Sequence, residues 1–105
     1  MMPGKKMGKM LAQAQKAQEK MQQEIAALRM DGTAGGGVVK ATVDGEKALL
    51  DLEIDPSVLE DGDATMVADL VLAAVSDAQG KIDVEVQKKM QSLAGSLGLP
   101  PGMGL

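Results

Sequence analysis

Five lysines near the start of the chain could together bind a polyanion. They are Lys5, Lys6, Lys9, Lys16 and Lys20. At about 100° per residue on a helix, all five fall within an arc of roughly 100°. Ammonium groups gathered on one helix face can neutralise phosphates without reading bases. An ordinary solvated helix face would show the same residues. Features of the rest of the sequence are needed to distinguish a polyanion-binding face from a solvated one.

The charge of the chain is unevenly distributed. The formal net charge is −4, from 11 Lys and Arg against 15 Asp and Glu. Six of the basic and two of the acidic residues lie in residues 1–30, which gives this segment +4 and leaves −8 for residues 31–105. A basic segment joined to an acidic body favours one end of the molecule as the contact for an anionic partner.

The side chains that most enzymes use are missing. The chain has no His and no Cys, which removes the usual acid–base group, the thiolate nucleophile and Cys-based metal sites. The best-placed hydroxyl, Ser96 between Gly95 and Leu97-Gly98, has no His to activate it. The sequence therefore predicts a protein that is not an enzyme and that has no catalytic residues, no metal site and no cofactor.

A carboxylate-bound Mg²⁺ site is the one enzymatic alternative left open. The acidic residues around Asp61 and Asp63 lack the spacing and the distant Glu of a calcium loop. A solvated turn with helix-capping carboxylates explains them better.

Two further classes of protein are disfavoured by composition. The chain has no Phe, Tyr or Trp, so it lacks the aromatic platforms on which single-strand binders stack bases. No apolar run approaches the length of a membrane span, and the basic N-terminus leads into a Gln- and Lys-rich segment rather than an apolar signal region. We expect a cytoplasmic protein with no membrane contact.

The lysines would be positioned by a helix over about residues 5–28, which is rich in Lys, Gln, Ala, Met and Glu. Apolar residues recur in it every three or four positions. They are Met7, Met10, Leu11, Ala14, Ala17, Met21, Ile25 and Leu28. Only alanines occupy the middle of this stripe, which favours a coiled-coil-like contact or a projecting arm over a deeply buried helix.

Three strand candidates follow, over residues 30–34, 38–43 and 47–54. Gly35–Gly37 separates the first two. No Lys-Ser/Thr and helix follow it, so it is interpreted as a turn or bulge rather than a phosphate loop. Asp44-Gly45 predicts a two-residue hairpin with a type I′ turn.

A second long helix is predicted after a turn at Asp55-Pro56. Ser57 and Glu60 resemble a capping box for a short helical turn, and Asp63 could cap a helix running to about Leu93. Within it, Gly80 predicts a bend or a close approach. Its apolar set is Met66, Val67, Leu70, Val71, Ala74, Ala78, Ile82, Val86, Met90 and Leu93.

These elements predict an α+β fold, ordered as helix, three-stranded antiparallel meander and helix, in a single domain over residues 1–105. Residues 1–4 and the Pro/Gly-rich residues 98–105 are expected to be flexible tails. A three-stranded sheet with one helix on it is a small core, and two long helices would leave apolar seams exposed. Dimerisation would cover them.

The whole chain resembles the YbaB/EbfC family of bacterial nucleoid-associated proteins. The matching blocks are residues 10–15, 18–22, 35–41 and 43–45, then 54–61, 70–74 and 99–103. This resemblance implies a homodimer with helical arms that project like tweezers. It also implies binding of double-stranded DNA with little sequence preference, association with the nucleoid and no catalytic residues.

The leading hypothesis is binding of double-stranded DNA by a homodimer. The predicted DNA-binding residues are the five lysines of the first helix and three lysines of the second helix. They are Lys5, Lys6, Lys9, Lys16, Lys20, Lys81, Lys88 and Lys89. The alternative is a protein-binding or chaperone-like coiled-coil module, because nine Met residues suit adaptable apolar contacts.

Overall fold

The computed structural model of the chain describes the backbone of residues 3–96 and the side chains of residues 7–60 and 62–95. The elements are α1 (Pro3–Ala26), β1 (Arg29–Ala34), β2 (Val39–Asp44), β3 (Leu49–Ile54), α2 (Pro56–Asp61) and α3 (Ala64–Ser96). The three strands form one antiparallel sheet in the order β1-β2-β3. The predicted α+β order is confirmed. Residues 3–4 of the expected N-terminal tail begin α1, whereas residues 1–2 and 98–105 lie outside the described residues.

The hydrophobic core lies between β2 and one face of α3. Side chains alternate along β2, so Val39, Ala41 and Val43 face the helix and are completely buried. The opposing residues of α3 recur every fourth position, which puts them on one helix face. They are Ala74, Ala78 and Ile82, and they are also completely buried. The spacing of apolar residues in the sequence thus identifies the face of β2 and the face of α3 that pack together.

Close approach of α3 to β1 depends on a glycine. A Cβ atom at Gly32 would overlap the carbonyl oxygen of Ala74 and the backbone nitrogen of Ala78. The side-chain position at Gly32 is therefore filled by the helix backbone itself. This contact allows α3 to cover β1 as well as β2.

Glycines explain both strand connections, but in different ways. Gly35, Gly36 and Gly37 have φ angles of 64°, 76° and 99°, so the predicted turn between β1 and β2 is confirmed. The predicted type I′ turn at Asp44-Gly45 is wrong. The residue with positive φ is Lys47, at 68°.

The β2–β3 connection is longer than predicted. The Asp44 carbonyl accepts from the Lys47 N–H, and the Asp44 N–H donates to the Ala48 carbonyl, both at 3.0 Å. Gly45 is needed for a different reason, because a Cβ there would overlap the carbonyl of Ile25 at the end of α1.

Aspartates cap the two C-terminal helices. The predicted capping role of Ser57 is wrong, since the Asp55 carboxylate accepts the Ser57 N–H at 2.9 Å and caps α2. The predicted cap at Asp63 is confirmed, as its carboxylate accepts the Met66 N–H at 2.8 Å. Helix α3 then runs to Ser96 without interruption at Gly80, where a Cβ would meet nothing within 4 Å.

The two glycine positions predict opposite effects of adding one methyl group. Gly32→Ala should lower the free energy of unfolding by about 1–3 kcal/mol or more, because a packed helix has to move away. Gly80→Ala should raise it by about 1 kcal/mol, because alanine is the better helix former and has room. Urea denaturation followed by circular dichroism measures both. Equal stability of the two variants would contradict the packing at Gly32.

Candidate nucleic-acid interface

The N-terminal half of α1 projects from the body of the molecule. The structure is 76 Å long but only 23 by 16 Å across. Met7, Met10 and Leu11 keep 60%, 68% and 61% of their surface exposed. The predicted apolar stripe is therefore uncovered in its first half. We call α1 the arm of the molecule.

The second half of α1 is held at two places. Ala17 and Met21 are half-buried and border a groove of about 330 Å³ whose other wall includes Leu93 of α3. At the base of the helix, the backbone of Ile25 touches Gly45 in the β2–β3 connection. Among the described residues, α1 is thus attached to the body through its second half.

Three predicted DNA-binding lysines lie on this arm with described side chains. Lys9, Lys16 and Lys20 are all exposed. Within the described part of the chain, no ion pair involves any of them. Lys5 and Lys6 belong to α1, but their side chains lie outside the described residues.

The other five lysines are paired with carboxylates. The Nζ–O distances are 3.1 Å for Lys40–Glu53, 2.6 Å for Lys47–Asp83, 3.5 Å for Lys81–Asp77, 4.0 Å for Lys88–Glu85 and 3.8 Å for Lys89–Glu24. Lys81, Lys88 and Lys89, the predicted additional contacts on α3, are thus all engaged within the molecule. Among the described side chains, the lysines without an ion pair are confined to α1.

Lys81 and Asp77 bind the outer edge of β1. The Thr33 N–H donates to the Asp77 carboxylate at 3.0 Å, and the Lys81 ammonium donates to the Asp31 carbonyl at 2.9 Å. These backbone groups point away from β2, where another strand could otherwise pair. The Thr33 hydrogen bond lowers the pKa of Asp77, against a smaller opposing effect of desolvation, and Lys81 lowers it further.

The arginine of the chain, Arg29, donates hydrogen bonds to backbone carbonyls. The Arg29 guanidinium donates from one nitrogen to the carbonyls of Ala26 and Leu28, at 3.1 and 2.8 Å. The Ala26 carbonyl ends α1 and the Leu28 carbonyl lies just beyond it, at the helix terminus where a cation is favourable. The side chain best suited to bidentate recognition of guanine is therefore used to end a helix.

The described residues form neither a metal site nor a membrane span. They include no group of three or more Asp and Glu placed to hold a metal ion. In the acidic segment before α3, the Asp63 carboxylate is used as a helix cap. None of the helices in the described range is long and apolar enough to span a bilayer.

The chain is similar to proteins of one known family. The model of the YbaB/EbfC DNA-binding family matches residues 2–97. A nucleoid-associated protein of Agrobacterium fabrum is 43% identical over 99 residues, which cover 94% of this chain and 92% of that one. A nucleoid-associated protein of Rhodopseudomonas palustris is 40% identical over 99 residues, which cover 94% and 93%.

A solved structure has the same fold. The crystal structure of an uncharacterized protein from Helicobacter pylori superimposes with a TM-score of 0.66 at 23% identity. The match covers 92% of this chain and 98% of that one.

The lysines are visible in the sequence, but the ion pairs that they form with carboxylates were not predicted. The Asp77–Lys81 pair has a visible signal, because the residues are four apart on one helix. The Lys40–Glu53 pair follows from strand register, since the two residues are direct partners across β2 and β3. The Lys89–Glu24 pair joins two helices that are distant in sequence, and no local pattern indicates it.

Removing the Asp77 carboxylate should weaken the contact between α3 and β1. Because the folded pKa of Asp77 lies below its ordinary 3.8, its stabilisation is present above that pH and is lost as the pH falls through the folded value. Asp77→Asn should therefore lower the free energy of unfolding near neutral pH, and the difference from wild type should shrink in strongly acid buffer. Urea titrations at both pH values measure this.

Asp69→Asn is the matched control, because Asp69 is exposed on the same helix and forms no hydrogen bond or ion pair with the described residues. An equal loss of stability in both variants, or a loss in Asp77→Asn that does not depend on pH, would contradict the role of the Thr33 contact.

Proposed function

Because the chain belongs to the YbaB/EbfC DNA-binding family, we propose that it binds double-stranded DNA as a homodimer, through the lysines of α1 and with low sequence specificity. This is a DNA-binding family of nucleoid-associated proteins and not an enzyme family. The observation that carries the proposal is the distribution of ion pairs. The five paired lysines lie on the body and on α3, while Lys9, Lys16 and Lys20 on α1 have no carboxylate partner among the described residues.

Unpaired lysines are suited to bind phosphates. A lysine already held by a carboxylate has to break that contact before it neutralises a phosphate, whereas an unpaired lysine only exchanges water and counterions. Lys16 and Lys20 are one helical turn apart, about 6 Å along the axis, and Lys9 lies about 10 Å beyond Lys16. The arm therefore offers a row of positive charges to a phosphate backbone. Lys5 and Lys6 extend the same face by sequence position.

The charged side chains of the molecule favour low sequence specificity. Lysine acts chiefly as a point charge that positions a protein on DNA, whereas the planar guanidinium of Arg is the group best suited to bidentate contact with guanine. The sole arginine of the sequence, Arg29, donates to backbone carbonyls instead. The chain also has no aromatic residue to insert between bases or to stack on them. Binding would therefore depend on backbone charge and on the shape of the duplex.

A homodimer explains the uncovered apolar side chains of the arm. Met7, Met10 and Leu11 are more than half exposed on the α1 face that turns away from the lysines. A second copy that covers this face would bury apolar surface and leave the lysine face open. Two arms would then be available for one duplex. We place the protein at the nucleoid in the cytoplasm, as the names of its relatives suggest.

The dimer has a direct test. Sedimentation equilibrium should give a mass of twice 10.8 kDa. Met10→Lys combined with Leu11→Lys should shift this mass towards that of the monomer, because lysines in the stripe would be buried by the second copy. A dimer that is unaffected by these changes would place the interface elsewhere, and a wild-type monomer would refute it.

Salt dependence tests the lysine face. Removal of one phosphate contact should reduce the slope of log K against log salt by about 0.9. If about five phosphates are neutralised by each arm, the wild-type slope is near −4.5 per arm. Changing Lys9, Lys16 and Lys20 together to Gln should flatten the slope by about 2.7 per arm and weaken binding across DNA sequences alike. Fluorescence anisotropy with two unrelated duplexes at several salt concentrations measures both effects.

Lys40→Gln with Lys47→Gln provides the control, since both lysines are paired on the body. These two changes should leave the slope nearly unaltered. If the α1 variant stays dimeric and retains DNA as well as wild type does, the exposed Met7 and Met10 would favour the second candidate, a protein-binding or chaperone-like coiled-coil module.

A further inference from the structure

The ion pair between Lys89 and Glu24 joins the arm to the long helix. The Lys89 Nζ lies 3.8 Å from an oxygen of Glu24, so the pair bridges α3 and α1. The Lys89 side chain is 28% exposed, the least of the five paired lysines. The remaining pairs either lie within α3 or connect parts of the body. Lys89 is thus placed to influence the arm from a neighbouring element.

Glu24 has a second lysine within reach along its own helix. Lys20 precedes it by four residues, a spacing at which oppositely charged side chains on a helix commonly pair. In the structure this pair does not form, because the Glu24 carboxylate is turned to Lys89 and no ion pair with a described residue involves Lys20. Lys20, Glu24 and Lys89 all border the groove between α1 and α3. One carboxylate thus lies between two candidate ammonium groups.

We propose that Lys89 is a positioning residue for DNA binding, which holds the Glu24 carboxylate away from Lys20 and so leaves Lys20 to bind a phosphate. This inference rests on the proposed function and assigns Lys89 a role different from the direct phosphate contact expected from the sequence. Lys89 acts through Glu24. Its own ammonium stays in the ion pair when DNA is bound.

The reason for such an arrangement lies in the charge of α1. Glu19 and Glu24 are its two acidic residues, and Glu24 is the one that lies one turn from Lys20. Without a cation from another element, the Glu24 carboxylate would offset the positive charge of Lys20, the lysine of the arm that lies nearest to α3. The Lys89 ammonium of α3 neutralises Glu24 and leaves the lysine face of α1 unchanged.

The experiment uses four full-length proteins: wild type, Lys89→Met, Glu24→Gln and the double variant. In the wild-type background, Lys89→Met should flatten the salt slope by up to about 0.9 per arm, because Glu24 then pairs with Lys20. In the Glu24→Gln background, Lys89→Met should leave the slope unchanged, because no carboxylate remains to capture Lys20. A flattening of equal size in both backgrounds would mean that Lys89 binds phosphate itself and would overturn the proposal.

A measurement without DNA follows the carboxylate directly. A carbodiimide joins lysines to carboxylates that touch, and mass spectrometry identifies the joined pair. Wild type should give the Glu24–Lys89 product within one chain, and Lys89→Met should give Glu24–Lys20 instead. A dominant Glu24–Lys20 product in wild type, or its absence from Lys89→Met, would also overturn the proposal.

The two measurements keep this inference separate from the function on which it rests. If wild-type protein does not bind DNA, the proposed function fails at the first titration, and the role of Lys89 in binding fails with it, whatever the cross-links show. If DNA is bound but the double variant behaves like Lys89→Met alone, only the role of Lys89 is wrong. Lys40→Met controls for the loss of one positive charge, and it should leave the slope unchanged in either background.

Discussion

The contact between α3 and the first two strands is the constraint on which the rest of the structure depends. In a chain without aromatic residues, the buried centre consists of valine, alanine and isoleucine, with backbone against backbone at Gly32. A core this small has room for one helix. Helix α1 is therefore left outside it, attached through its second half, while Met7, Met10 and Leu11 in its first half are exposed. The projecting arm is a consequence of how little the core can hold.

Ion pairing divides the lysines of this acidic protein into two groups. On the body, strand register and helix packing bring a carboxylate to each lysine, as for Lys40 with Glu53 and Lys47 with Asp83. Such exposed pairs stabilise the fold only slightly, but each occupies an ammonium group. On the arm, no neighbouring element among the described residues supplies carboxylates to Lys9 or Lys16. A chain of net charge −4 can thus present a positive surface, because the lysines of its body are matched by carboxylates while the described lysines of the arm are not.

Sequence alone could predict those parts of the structure that depend on local periodicity. The order of elements, the buried face of β2 and the matching face of α3 all follow from alternation in strands and a four-residue repeat in helices. The β2–β3 turn could not be predicted, because Gly45 serves contact with Ile25 rather than a positive φ, which falls instead on Lys47. In the same way, the lysine positions on α1 are visible in the sequence. The partner of Lys89 depends on how two distant helices pack, and no spacing in the sequence encodes it.

The attachment of α1 along its second half makes its first half a lever. Ala17 and Met21 border α3, so the helix is free to tilt only beyond them. From Ala17 to Lys9 the helix rises by about 12 Å, and a tilt of roughly 10° about Ala17 would shift Lys9 by about 2 Å. Lys20 lies on the attached side of this point and would hardly move. The distal lysine can thus adjust to the path of a phosphate backbone while the proximal one keeps its position.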